Sequence, residues 1–237
     1  MKREKPLKTA AGAGGNEGNA EPRTRSDRGA DTRAQLIEAA LEIFGRLGYE
    51  GATTRQIAKA ADANLAAIVY HFGSKEALHL AVAEHVAKSI LARIGPTLAT
   101  ISAPEATATP EAARASLHSL VGTIIDVLLG SAEAERWARF IVREQLQPTA
   151  AFDVIYGFME HAMSTALRIV TTILDTPEDE EIRLRTITVL GQVLVFRVAQ
   201  TLVFRRMNWT AIGDRERAAI KQVILQNLDA ILEGTKP

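Results

Sequence analysis

The sequence predicts an all-α protein, with a small N-terminal unit of three helices followed by a larger helical part. Three observations carry this. Apolar residues recur at three- and four-residue spacing through almost every segment after residue 31. Aromatics make up only 5% of the chain and alternating β-branched runs are few, which leaves little from which to build a sheet. Turn formers at Pro148, at Asp175, Thr176 and Pro177, and from Asn208 to Gly213 fall between the periodic segments. At 237 residues, the chain suits one large domain or a small one plus a medium one.

Residues 1–30 are rich in Gly, Ala, Lys, Arg and Asn and nearly lack large apolar side chains, so they read as a disordered tail. Arg23, Arg25 and Arg28 are either simply solvated there or form a basic arm for phosphates and a minor groove. From Asp31 onward, Leu36, Ile37, Ala40, Leu41, Phe44 and Leu47 share a helical face. Thr32 with Gln35 has the form of a capping box opening this helix, and Gly48 and Gly51 end it. A second box, Thr53 with Gln56, opens a short helix through Ile57, Ala58 and Ala61, which Asp62, Ala63 and Asn64 interrupt. Asn64 caps a third short helix, residues 65–72, and Ser74 after Gly73 caps a fourth.

The fourth helix carries Leu78, Leu80, Val82, Val86, Ile90 and Leu91 as far as Gly95 and Pro96, which stop it. Residues 96–110, rich in Pro and Thr, read as a connection. Further periodic segments follow at 111–129, 131–146, 149–174, 178–206 and 214–233.

Absence of cysteine excludes disulfides and thiolate metal sites. With no signal-peptide pattern and no uninterrupted apolar run long enough to span a bilayer, the chain reads as cytoplasmic, neither secreted nor in a membrane. Net charge is zero, which alone argues against nucleic acid. Its distribution argues otherwise: residues 1–95 carry 14 basic against 11 acidic side chains, and the remainder 14 against 17, so the front is the more basic end.

Two short helices joined by a tight turn, behind a longer amphipathic helix, have helix-turn-helix geometry. In that geometry the second short helix enters the major groove and the first crosses the backbone. Asn64 and the amides opening helix three form a positive helix end suited to phosphate. Leu65, Ala66, Ala67 and Tyr70 project from its outer face, while Ile68 and Phe72 turn inward toward Phe44 and Ile57.

Thr53 through Ala58, then Asn64 through the Tyr70, His71 and Phe72 ending, then Gly73, Ser74, Lys75, Glu76, Ala77 and Leu78 together resemble the TetR/AcrR family of bacterial transcription regulators. The run from Asn64 to Phe72 is also similar to the branch with a CerR-type (CecR/YbiH-like) C-terminal domain. The chain departs from the usual pattern at three places: Asp62 replaces the turn glycine, Leu65 stands where a lysine often begins the recognition helix, and Val69 where a tyrosine often sits.

The resemblance implies a helix-turn-helix DNA-binding domain at 31–78 and a helical ligand-binding and dimerisation domain at 79–237. It implies DNA roles for Thr53, Thr54, Asn64, Ala66, Ala67, Tyr70, His71 and Lys75, with Arg55 a candidate base or phosphate contact. Chemically, Thr53, Thr54, Tyr70, His71 and Lys75 suit phosphate oxygens, whereas Ala66 and Ala67 offer methyls to thymine. Thr53 also reads as a cap alone and His71 as a partly packed ring. The implied partners are a palindromic double-stranded operator, an unknown small-molecule effector and a second copy of the chain, with no cofactor.

The C-terminal part has no phosphate loop, nucleophile elbow or metal-ligand pair. His79, His85, His118 and His161 are scattered singly, which argues against metal and against an enzyme. Trp137, Phe140, Arg143, Phe152, Tyr156, Met159, His161 and Gln200 are the ligand candidates, although such aromatic and Met stripes build core at least as readily. Segment 178–206 is apolar nearly all round and must be buried on more than one side. Val198 and Leu202 on it, with Ile220, Ile224 and Leu228 on the last helix, fit a four-helix interface between two copies, or else the core of one. A DNA-binding structural or nucleoid-associated protein of the same fold, without an effector, is the competing reading. An enclosed pocket would favour the sensor and filled packing the structural role.

Overall fold

The computed structural model describes the backbone of residues 25–233, with side chains from residue 29 onward. Arg23 lies outside the described residues, as do the side chains of Arg25 and Arg28. The described chain is all helix: α1 (Arg25–Gly51), α2 (Thr54–Ala60), α3 (Leu65–Phe72), α4 (Lys75–Ile101), a 3-10 turn (Pro104–Thr107), α5 (Pro110–Leu129), α6 (Ala132–Leu146), α7 (Ala150–Leu174), α8 (Glu180–Val198), α9 (Gln200–Met207) and α10 (Asp214–Glu233).

Helices α1, α2 and α3 pack Leu36, Leu41, Phe44, Ile57 and Ile68 into one core that Leu78 and Val82 of α4 close from below. Burying side chains of this size stabilises by about 1.5–3 kcal/mol each. The chain breaks α1 at Gly48, whose φ of 74° is left-handed. Helix α1 begins well before the Thr32 box, so Thr32 is an interior residue and residues 25–30 belong to the helix rather than to a tail.

Two other boundaries differ from the sequence reading. Pro96 does not stop α4, although a proline inside a helix costs about 3 kcal/mol. Ile94, Leu98 and Ile101 continue the buried stripe of Val86 and Ile90, and that burial outweighs the lost hydrogen bond. The segment expected as one helix from 178 to 206 is two, bent by 77° at Ala199 (φ −103°, ψ 28°). No Pro or Gly marks this bend. It redirects the chain so that Trp209 and Ile212 return to the core before α10.

Helix α5 is long and apolar enough to cross a bilayer by length and composition. Leu117, Leu120 and Ile125 on it are buried at the centre of the bundle, between α4, α7, α8 and α10. Helix α6 lies along α1 and ties the small N-terminal unit to the bundle. Phe44→Ala is expected to cost about 3–5 kcal/mol of unfolding free energy, measured by chemical denaturation. A loss below about 1 kcal/mol would mean that the core of the small unit does not close on this ring.

Candidate DNA-reading head and effector cavity

Local hydrogen bonds build the helix-turn-helix. Thr53 Oγ1 accepts from the Gln56 amide at 3.2 Å and Gln56 Oε1 accepts from the Thr53 amide at 2.8 Å, the reciprocal box that starts α2. Asp62 takes the left-handed turn position with φ 48°, a conformation its short polar side chain tolerates. Asn64 Oδ1 accepts from the Ala66 amide at 3.0 Å and starts α3, and Ser74 Oγ accepts from the Ala77 amide at 3.0 Å and starts α4. Thr53 and Asn64 are thus caps, and both remain on the surface. Asn64 has already satisfied one of the amides at the opening of α3.

The outer face of α3 is open. Tyr70 is 85% exposed and Val69 65%, with Leu65 and Ala66 also exposed, while Ile68 is buried on the opposite side. Phe72 is half-buried, and the Arg33 guanidinium lies 5.1 Å from its ring centre. The His71 ring stands edge-on to Tyr70 at 4.9 Å between centroids, which restricts where the phenol points. Lys75 Nζ sits 4.3 Å above the Tyr49 ring, a cation–π contact that holds the ammonium at the start of α4. Arg55 is exposed and Thr54 and Ala67 are half-buried, so all nine DNA candidates lie on the helix-turn-helix or the helix start beside it.

The ligand candidates do not come together. A cavity of about 120 Å³ lies among α4, α5, α6, α7, α8 and α10, and of the eight only Met159 lines it. Its wall is apolar, drawn from residues such as Ile90, Leu120, Ile124, Phe158, Val189 and Leu194. The one hydroxyl in the lining, Thr186 Oγ1, is spent on the Ile182 carbonyl at 2.9 Å. Apolar cavity walls carry the same pattern as packed core, so nothing in the sequence distinguishes them.

Phe152 and Tyr156 stack on each other at 6.0 Å with Tyr156 half exposed, His161 is exposed, and Gln200 sits beyond the bend. Trp137 and Phe140 are buried core. Arg143 instead donates to the Arg46 carbonyl of α1 at 2.9 Å. It belongs to a row in which Arg136 meets Glu38 at 2.8 Å and Arg139 meets Glu42 at 3.4 Å, so α6 presents three arginines to α1.

Beside that row lies a buried polar joint. His79 of α4 is 3% exposed and Glu144 of α6 1%, and His79 Nε2 stands 2.9 Å from Glu144 Oε1. Glu144 Oε2 accepts from both the amide and the hydroxyl of Thr149, the cap of α7, at 3.1 and 2.8 Å. His79 Nδ1 has no partner, which assigns the proton to Nε2. The Phe44, Tyr49 and Phe140 rings surround the imidazole. Burial, then the nearby Lys75, lower the His79 pKa from its ordinary value, against the Glu144 hydrogen bond and charge that raise it. Among the described residues no cluster of His, Asp and Glu has metal-holding geometry.

The interface residues also separate. Val198 (62% exposed) and Leu202 (68%) are open to solvent. Ile220, Ile224 and Leu228 are buried within their own chain, because the inward face of α10 closes on α5 and α8, and Val223 is the large apolar residue that α10 leaves exposed.

A family model described as the C-terminal domain of the HTH-type transcriptional dual regulator CecR matches residues 113–235, and that of bacterial regulatory proteins of the tetR family matches residues 36–82. The HTH-type transcriptional dual regulator CecR of Shigella flexneri is 35% identical over 213 residues, covering 87% of this chain and 94% of that protein. The probable HTH-type transcriptional regulator YttP of Bacillus subtilis is 29% identical over 113 residues, 48% of this chain and 50% of that one. Among solved structures, a TetR-like transcriptional regulator from Rhodococcus sp. RHA1 aligns with TM-score 0.61 at 13% identity, over 90% of this chain and 97% of that one. The transcriptional regulator FadR from Bacillus subtilis, in complex with stearoyl-CoA, aligns with TM-score 0.57 at 18% identity, over 82% and 96%.

Because the folded state holds His79 below its ordinary value, the unfolded chain takes up that proton first as pH falls. Stability is therefore expected to drop below about pH 6.5. Denaturation midpoints of the native chain and of His79→Gln, compared between neutral and mildly acidic pH, check this, since the variant should lose less stability on acidification. Equal acid sensitivity of the two would remove His79 as the source.

Proposed function

Since the chain belongs to the TetR family of DNA-binding transcriptional regulators, with a CecR-type C-terminal domain, we propose that it is a ligand-responsive repressor that binds a palindromic operator as a homodimer. The observation that carries this reading is the sharing of α4. Its first turns close the core of the reading head, and Val86, Ile90 and Ile94 further along it form one wall of the apolar cavity. An effector filling that cavity presses on the helix that carries the head. It displaces the two heads from successive major grooves if it favours the displaced state by a few kcal/mol. The cavity also favours a sensor over a purely structural DNA-binding protein. The reading head corresponds to residues 31–78 and the sensor to 79–237, and the protein acts where its DNA is, in the cytoplasm.

A homodimer is supported by an unpartnered apolar seam. Leu184, Ile187, Val195 and Val198 on α8 are exposed at helical spacing, with Gly191 open between them and Leu202 beyond the bend. Two such seams facing each other about a two-fold axis would close both and set the separation of the heads. The Shigella flexneri relative is called a dual regulator, so activation belongs beside repression in any reporter assay.

Footprinting the purified protein on the DNA upstream of its own gene tests the core of this reading, with a palindromic protected site expected. Tyr70→Ala is expected to weaken specific and non-specific DNA alike by about 1 kcal/mol or more, and affinity should fall steeply with salt because α3 offers few polar groups to base edges. Affinity indifferent to salt would contradict this. Leu202→Glu is expected to give monomers with little operator binding by sedimentation and anisotropy, and an unaltered dimer would place the interface elsewhere.

A further inference from the structure

The cavity wall leaves no hydrogen-bond donor free. No Asp, Glu, Lys, Arg or His among the described residues lines it, and its side chains are hydrocarbon or, at Met159 and Met163, thioether. The exception is Thr186, whose hydroxyl already donates to the Ile182 carbonyl at 2.9 Å. All the lining residues but Val127 and Leu128 stand clear of helix ends, so their amides and carbonyls bond along the helix axes. The Leu128 carbonyl, near the end of α5, accepts from Arg197 Nε at 2.8 Å.

The volume, about 120 Å³, is close to that of an engineered cavity of about 150 Å³, lined by Leu, Ile and Phe, that stays dry and holds benzene. A buried water needs about two to four polar partners, which this wall does not supply. Protein interiors are otherwise packed as closely as organic crystals, and voids of this size are few. Ala87 of α4 and Ala162 and Ala166 of α7 are the smallest side chains in the lining, and a leucine at any of these positions would occupy part of the space.

We propose that the cavity takes a small uncharged molecule of hydrocarbon character, about the size of a substituted benzene, and excludes carboxylates, amines and other groups that need a protein partner. This rests on reading the cavity as the effector site, and it names the class of effector. A polar group moved from water against this wall loses its hydrogen bonds and gains none, and an ionised group loses far more. Selectivity then comes from that penalty rather than from any one contact, so ligands rank by how little hydration they give up. Met159 and Met163, unbranched and adaptable, let the wall fit rings with different substituents.

The test is calorimetric titration of the full chain at neutral pH with toluene, phenol and benzoate, which share a ring and differ in carrying a methyl, a hydroxyl or a carboxylate. Toluene is expected to bind roughly tenfold more tightly than phenol, and roughly a hundredfold or more above benzoate. Ala162→Leu, which fills space without adding a polar atom, should weaken toluene binding roughly tenfold or more, and Ala87→Leu is the second variant if the first fails to fold. Phenol or benzoate binding as tightly as toluene overturns the proposal while leaving the cavity as an effector site. Toluene binding that survives both substitutions, or binding of none of the three compounds, also overturns it. Operator affinity, followed by anisotropy with and without saturating toluene, tests the effector reading separately. Toluene that binds with the expected selectivity yet leaves operator affinity unchanged sustains the proposal about the cavity and overturns its reading as the effector site.

Discussion

Helix α4 buries one apolar stripe in two places. Leu78, Val82 and Ala83 complete the core beneath α1, α2 and α3, and Val86, Ile90 and Ile94 complete the wall of the cavity. A continuous hydrogen-bonded helix does not stretch, so a shift of its middle is carried to its first turn. That constraint explains why Pro96 is accommodated rather than allowed to end the helix, since ending there would expose Leu98 and Ile101 at the floor of the bundle.

The joint between α4, α6 and α7 makes the same connection from the side. His79, Glu144 and Thr149 form a polar chain buried at His79 and Glu144, and removing one partner of such a hydrogen bond costs about 1–3 kcal/mol because the other is left unsatisfied. The arginines of α6 add a peripheral row along α1, of the kind that contributes little stability but fixes orientation. Helix α6 is thus tied on two sides, to α1 by the arginine row and to α4 by the His79–Glu144 pair.

The two faces of α8 divide the remaining work. Ile182, Val189 and Val193 point into the bundle and the cavity, while Leu184, Ile187, Val195 and Val198 stay outside. An effector against the inner face and a partner against the outer face would thus press on the same rod. The reading surface is spare by comparison. Its caps are built from Thr53 and Asn64, its exposed face is chiefly Leu65, Ala66, Val69 and Tyr70, and its positive charge comes from Arg55 and Lys75 at the edges. On the proposed reading, such a surface would position on phosphates more than it would discriminate bases.

The helix-turn-helix was legible in the sequence because its determinants are local. The Thr53 and Gln56 box, the left-handed Asp62, and the Asn64 and Ser74 caps each act within three residues, and each appears where the order of residues places it. The all-helical class and the extents of α5, α6, α7 and α10 were legible for the same reason, as periodicity is a property of neighbours along the chain. Tertiary packing decided the rest. Whether Ile224 faces its own chain or another, whether Arg143 meets a ligand or the Arg46 carbonyl, and which aliphatic side chains enclose space instead of filling it all depend on what lies across a helix interface. Apolar residues look alike from within one helix, and only the distance between helices separates a packed wall from an empty one.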